Sequence, residues 1–281
     1  MKQIVLSDHV NAQLQAVRYA RSAGFQKQEE AYFERLAQHR RKLSERRDAI
    51  AQAWSTRRAG KLLWAILGWL WLKLRGEPGK PVYHGGGDDE AVWRSGEEGE
   101  RSAAGFFGRT LSDDWTLLSG YYNPRGEIDL ILVGPDGVFA VEIKHINGVV
   151  HCHGDAWWRD KYDRYGNRVE AGIPIQDRGG RSPSRQLNEP ADRLAQRLEK
   201  LGGIEHVHRV VLLTHERARI GEMHALTVNA VASLHDLHPR EILAVSKQTL
   251  SAEQVGKVVE WIRADHRFHQ QRRKPNRKQA A

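Results

Sequence analysis

The run Gly126-Glu127-Ile128-Asp129-Leu130-Ile131-Leu132-Val133-Gly134-Pro135-Asp136-Gly137-Val138-Phe139-Ala140-Val141-Glu142-Ile143-Lys144 constrains this chain more than any other segment. It reads as two apolar strands joined by a tight turn. With Gly134 to Gly137 as the loop, Val133 pairs with Val138, and counting back sets Asp129 opposite Glu142. Directly opposed residues of an antiparallel pair hold their Cβ atoms roughly 5 Å apart. Lys144, two residues past Glu142, shares its face. Two carboxylates and an amine are therefore expected to converge at the end of a buried hairpin. Like charges opposed across a ladder are destabilising. A positive group is expected between them, and a hard divalent cation with oxygen ligands is the natural candidate.

A Glu-Ile-Lys at a strand end is ordinarily a solvated edge. The opposed Asp129 and the apolar Val138-Phe139-Ala140-Val141 before it argue for an opening onto a site. Phosphodiester hydrolysis needs a positioned water and stabilisation of charge at phosphorus, and a carboxylate-held Mg²⁺ supplies the Lewis acid. Asp129 and Glu142 are the candidate ligands, with the backbone carbonyl of Ile143 between the second ligand and the lysine. Lys144 can orient or activate the water, or neutralise developing charge.

The 281 residues can hold one good-sized domain plus extensions. A net charge of +9 favours a polyanionic partner, either nucleic acid or an anionic membrane surface. The single Cys152 excludes an intramolecular disulfide and fits a reducing compartment. No basic segment followed by an apolar core opens the sequence, so no secretory signal is expected. A cytoplasmic protein is expected, with peripheral placement at the inner face of the membrane as a further option.

Residues 1–60 read as a basic helical extension. From Ser7 to Arg58 they are free of proline and helical in pattern, with Gly24 the one expected interruption. Between Arg35 and Arg58 eight Lys or Arg face only Glu45 and Asp48, which suits a solvated helix face or a phosphate or headgroup contact. Residues 61–75 form a short Trp-rich hydrophobic helix around the eleven apolar residues Leu62 to Leu72. That stretch covers about 16 Å, roughly half of a ~30 Å hydrocarbon core. Apolar on all sides, it suits burial at home, a partner protein or one membrane leaflet.

Residues 76–91 are a Gly/Pro linker, 92–267 the main domain and 268–281 a basic tail. The main domain reads as a helix from Val92 to about Leu111, a strand Trp115–Tyr122 and the hairpin. Gly148–Trp158 follows as a third strand and turn, then a polar, glycine-rich hairpin tip and loop from Asp160 to Arg181. A helix patterned on Leu187, Ala191, Leu194 and Leu198 comes next, then strands Val207–Thr214 and Thr227–Ser233. Helices Asp236–Leu243 and Ser251–Arg267 end the fold, the last with Ser251 as N-cap.

Other constellations carry less. His151-Cys152-His153 lies on a strand, where the two histidines share one face and Cys152 takes the other, so three ligands cannot converge on zinc. Trp157-Trp158 reads as hairpin packing before base stacking. No nucleophile elbow supports a serine hydrolase, and no phosphate-cradling Gly-Lys-Ser/Thr loop supports nucleotide-driven work.

Asp129 followed by Glu142-Ile143-Lys144 resembles the Asp…Glu-x-Lys signature of restriction-endonuclease-like nucleases, the PD-(D/E)xK superfamily. The framing is similar to the nuclease-related domain, NERD. Gly96-Glu97-Glu98-Gly99-Glu100 resembles that family's opening helix. Glu127-Ile128-Asp129 and Gly134-Pro135-Asp136-Gly137-Val138-Phe139 resemble its strand and turn, and Glu142-Ile143-Lys144 with Gly148 its catalytic strand. Ser182-Pro183-Ser184-Arg185-Gln186 is similar to its Asn-Pro-x-x-Gln step, with Ser182 in place of Asn. Ile128 stands where the wider superfamily often has Pro. The resemblance covers roughly Arg94 to Thr214.

It implies an α/β fold with a restriction-endonuclease-like core, a mixed central sheet flanked by helices, behind the long basic helical extension. It implies a site of Glu100, Asp129, Glu142, Lys144 and Gln186, with Glu100 reaching the metal from the first helix and Gln186 arriving from the later one. The metal ligands would be Asp129, Glu142 and the Ile143 carbonyl, with Glu100 as a further candidate and Mn²⁺ as a substitute for Mg²⁺. The expected function is metal-dependent hydrolysis of DNA in preference to RNA. A homodimer is an option, because cutting both strands needs two sites. The alternative is a non-catalytic nucleic-acid-binding or membrane-associated adaptor on a nuclease fold, with Leu62–Leu72 as its membrane or protein contact.

Overall fold

Val133 pairs with Val138 and Leu130 with Val141, the register read from the turn. Gly134 still faces Gly137, so only Pro135 and Asp136 lie outside the ladder. A computed structural model describes residues 1–7, 9–81, 88–163, 165–202, 204, 206–236, 242, 246 and 248–272. The chain folds as two compact units, residues 1–12 with 92–281, and residues 13–91.

The smaller unit is helical. Most of α1 (His9–Ser55) lies in it, followed by α2 (Ala59–Arg75). Gly24 does not interrupt α1, which runs on without a break. One glycine costs a helix interior only about 1 kcal/mol relative to alanine, less than the cost of starting a second helix. Among the described residues no helix is long and apolar enough to cross a membrane.

The larger unit carries ten strands among its described residues. They are β1 (Lys2–Val5), β2 (Thr116–Asn123), β3 (Gly126–Gly134), β4 (Gly137–Lys144) and β5 (Gly148–His153). Then come β6 (Ala156–Tyr162), β7 (Arg168–Pro174), β8 (Val207–Leu213), β9 (Ala218–His224) and β10 (Ala230–Ser233). The helices of this unit are α3 (Asp88–Thr110), α4 (Pro183–Gly202) and α5 (Ala252–Gln271).

The central sheet has the order β1-β2-β3-β4-β8-β10 and is mixed. β2, β3 and β4 are antiparallel neighbours, whereas β1 with β2, β4 with β8 and β8 with β10 run parallel. Both faces are covered. Ile131, Val133, Val138 and Ala140 pack with Leu187, Ala191, Leu194 and Leu198 of α4 and with Val258 and Ile262 of α5. Leu130, Leu132, Phe139 and Val141 pack with Ala103 and Phe107 of α3. Two buried faces explain why β3 and β4 read as continuous apolar runs instead of alternating. By alternation Glu142 and Lys144 fall on the α4 side of β4, with Val138 and Ala140.

A second sheet of order β7-β6-β5-β9 stands beside the first. The segment Asp160–Arg181, read as hairpin tip and loop, holds the end of β6 and the whole of β7, so the hairpin takes up more of it than a tip. β7 is almost wholly exposed and is held by charged partners, with Glu170 accepting from Arg159 at 3.1 Å and Lys161 at 3.3 Å. A strand that buries nothing shows no apolar alternation to read. The same reason hides β9, where only Ala218 is buried. β1 was not expected either, being four residues long and parallel to β2.

α3 begins at Asp88, inside the stretch read as linker, and α5 runs to Gln271, into the stretch read as tail. Of the expected helix Asp236–Leu243 only Asp236 and Ile242 are among the described residues, and the glycines at 85–87 and the tail from 273 fall outside them. Ser251 caps α5 as expected: its hydroxyl accepts from Gln254 N–H, and the Gln254 side chain accepts from Ser251 N–H. Ser251→Ala breaks this capping box and is expected to lower stability by about 1 kcal/mol, read from the urea midpoint at unchanged slope.

Candidate active site

The pleat of β4 sets the first part of the site. Glu142 and Lys144 lie two residues apart on one face, and Lys144 Nζ donates to Glu142 Oε1 at 2.7 Å. Glu142 is 4% exposed, so the pair sits largely out of water. Lys144 Nζ also donates to Gln186 Oε1, at 3.0 Å. Gln186 lies in the first turn of α4, and its Nε2 donates to the carbonyl of Arg181 at 2.8 Å. That second bond fixes the amide with its oxygen towards the lysine.

Asp129 meets β4 differently from the simple pairing. The β3–β4 ladder ends at Leu130 with Val141. One step further out, Asp129 Oδ2 accepts the backbone N–H of Ile143 at 2.7 Å. The side chain has taken over from the strand backbone, which ties the carboxylate to the second strand beside Glu142.

The electrostatics follow from this packing. Burial pushes the Asp129 carboxyl well above the ordinary carboxylate range, and the charges of Glu142 and Glu100 push it further. Lys144 and the Ile143 N–H oppose this without cancelling it. Lys144 shows the converse. Burial alone would lower it, but Glu142 and Asp129, with Asp177 behind them, hold it above its usual value. The patch is short of positive charge, and its one amine stays protonated at neutral pH.

Of the acids in the α3 motif, Glu100 is the one whose charge raises Asp129. Glu97 is tied to Arg101 on its own helix, and Glu98 is exposed. Gly99 lets α3 come close: a Cβ there would meet Thr214 Oγ1 at 2.8 Å and His145 Cβ at 3.1 Å. Thr214 N–H in turn donates to the Lys144 carbonyl at 3.1 Å, closing the ends of β4 and β8 together. The structure therefore brings Asp129, Glu142, Lys144 and Gln186 into one hydrogen-bonded and charge-coupled cluster, with Glu100 acting on it from α3.

Sequence reasoning missed several neighbours. Asp177 folds the 177–181 loop, its Oδ1 accepting from the N–H groups of Gly179 and Arg181 at 2.8 and 2.9 Å. Its Asp-x-Gly spacing was the available signal for such a turn. His145 Nδ1 lies 3.1 Å from Thr214 Oγ1, its ring centroid is 4.9 Å from that of His215, and His235 Nε2 is 3.3 Å from the Thr214 carbonyl. No sequence pattern links these three histidines.

Cys152 is buried and reduced, while His151 stacks on Trp158 at 5.4 Å and His153 is exposed. Trp157 is 4% exposed and donates from Nε1 to Ser184 Oγ at 3.0 Å, which is packing. Among the described residues no group of three or more His, Cys, Asp or Glu side chains is placed to hold a metal ion unaided.

No curated protein and no solved structure matches the chain. Residues 95–214 match the family model of the nuclease-related domain, and that span contains all five residues of the cluster just described. Residues 95–214 are therefore similar to the nuclease-related domain, over a little less than half of the chain.

Proposed function

We propose that this domain is a metal-dependent nuclease hydrolysing phosphodiester bonds of DNA. The observation that carries the reading is geometric: Asp129 Oδ2 accepts the Ile143 N–H at 2.7 Å, beside the buried Glu142, to which Lys144 Nζ donates at 2.7 Å. Two carboxylates gathered around one amine out of water make a binding place for a cation. The donors are hard oxygens, which suits Mg²⁺ and, as a substitute, Mn²⁺. Asp129, Glu142 and the Ile143 carbonyl would hold it, with Glu100 as a further ligand. Mg²⁺ keeps several waters, so so few protein ligands suffice. When bound, the ion supplies Lewis acidity and a template for the phosphate.

The chain's own residues do the rest. Lys144 is protonated, so it acts as a donor and a positive charge and not as a resting base. Two of its three N–H donors go to Glu142 and Gln186. The third is available to a phosphate oxygen or to the attacking water, where charge develops. Gln186 positions the amine and is itself positioned by the Arg181 carbonyl. Gln186→Leu removes the acceptor and is expected to slow cleavage by about 10- to 100-fold through misplacement of Nζ. Gln186→Glu, which restores an acceptor oxygen, should recover part of the rate.

The experiment is incubation with plasmid, linear and branched DNA in Mg²⁺, Mn²⁺ or EDTA. Metal-dependent cleavage blocked by EDTA is expected. Salt-sensitive DNA binding without turnover would favour the non-catalytic module instead.

A further inference from the structure

In the smaller unit, α2 is apolar on both sides but only one side is covered. Ala65 is 5% exposed, and Leu62, Ile66, Trp69 and Leu72 are half-buried on the side towards α1. The opposite side carries Leu63, Trp64, Leu67, Leu70, Trp71 and Leu74, exposed by 42 to 86%. At 100° per residue these six fall within about a third of the helix circumference, one continuous outward stripe. A stripe of this composition in water has a partner.

The charges around it say which. α2 contains no acidic residue, and Lys61, Lys73 and Arg75 lie at its two ends, with Arg57 and Arg58 just before it. Lys73 Nζ sits 4.7 Å from the Trp69 ring and Arg75 Cζ 5.4 Å from the Trp71 ring. Gly68 lets α1 reach the edge of the stripe: a Cβ there would lie 3.1 Å from Arg46 Cζ. Over Arg35–Arg58, α1 and its end carry eight Lys or Arg against two acids. The apolar stripe is therefore rimmed by cations. A second copy of the chain docked through this face would bring two such rims together, which like charges oppose. A bilayer with anionic headgroups satisfies both features.

We propose that the α1–α2 unit docks on an anionic phospholipid surface, with α2 lying in the interface plane and its outward stripe entering the acyl boundary. At 17 residues α2 is about 26 Å long, short of a ~30 Å core, so it lies on the membrane and does not span it. Tryptophans at the headgroup level and basic residues towards the phosphates are the arrangement such helices use. The inference stands independently of the nuclease reading.

The test is flotation of the full chain with vesicles of pure phosphatidylcholine or of phosphatidylcholine with phosphatidylglycerol. The expected result is at least ~10-fold more protein floating with the anionic vesicles, a blue shift of tryptophan emission, and weakening in high salt. Leu67→Glu/Trp71→Glu, on exposed positions, should abolish flotation at unchanged helicity. Arg57→Gln/Arg58→Gln/Lys61→Gln should weaken it while leaving the stripe intact. Metal-dependent DNA cleavage in solution should survive both variants, which separates this inference from the nuclease reading. No flotation with anionic vesicles, flotation unaffected by Leu67→Glu/Trp71→Glu, or a dimer that the same variant converts to monomer without vesicles present would overturn it.

Discussion

Lys144→Ala is expected to reduce DNA cleavage by about 10³-fold, the scale of losing one positioned donor at a site of developing charge. The substitution removes the amine hydrogen-bonded to Glu142 and a positive charge that acts on Asp129. It also has a stability signature that an ordinary surface lysine would lack. Glu142, at 4% exposure, would lose its bonded counterion, and breaking a buried pair in this way costs about 3–5 kcal/mol. Lys144→Met, which keeps the volume, should behave alike if charge and not packing is responsible. Urea midpoints at neutral pH, beside plasmid cleavage, measure both effects. Unchanged cleavage with unchanged stability would make Lys144 a solvated strand end after all.

Local physics made the hairpin legible. The Gly-Pro-Asp-Gly turn set the register, and the two-residue period then placed Glu142 beside Lys144, as the 2.7 Å bond shows. The partners of Lys144 from elsewhere in the chain were not legible in that way. Gln186 lies 42 residues on and Glu100 precedes the sheet, so no spacing rule connects them to the lysine. Only the likeness of their surrounding motifs to a known domain pointed to them. The hydrogen bond from Ile143 N–H to Asp129 was not foreseen, because a side chain replacing a ladder bond leaves the sequence of both strands unchanged. The second sheet failed for another reason. β7 and β9 bury almost nothing, so their residues carry polar character where a pattern would be sought. In the smaller unit the apolar run Leu62–Leu72 was plain, but its division into a covered and an uncovered side emerges only once α1 is packed against it.

Asp129→Asn is expected to abolish metal-dependent cleavage, by about 10³-fold or more, and at the same time to stabilise the metal-free protein. The two effects share one cause. Asparagine keeps an oxygen that can accept the Ile143 N–H, now bonded at 2.7 Å, but it removes a negative charge that the fold disfavours. A carboxyl whose folded pKa lies above its unfolded value penalises folding once it ionises. In EDTA the contribution of Asp129 to stability should be most favourable below the ordinary carboxylate range and be lost as pH rises from there through its raised pKa. The variant should lack that slope, and at pH 8 should gain on the order of 1 kcal/mol, about 3 °C for a domain of this size. The gain is kept small because part of the Asp129 surface reaches solvent. Adding Mg²⁺ should raise the melting temperature of the wild type and move the variant little, since binding to the native state alone stabilises it. Thermal melts with and without Mg²⁺ at several pH values resolve the matter. If Asp129→Asn were less stable than wild type at every pH and still cut DNA, the carboxylate would serve only to hold Ile143, and the charge deficit at this site would need another explanation.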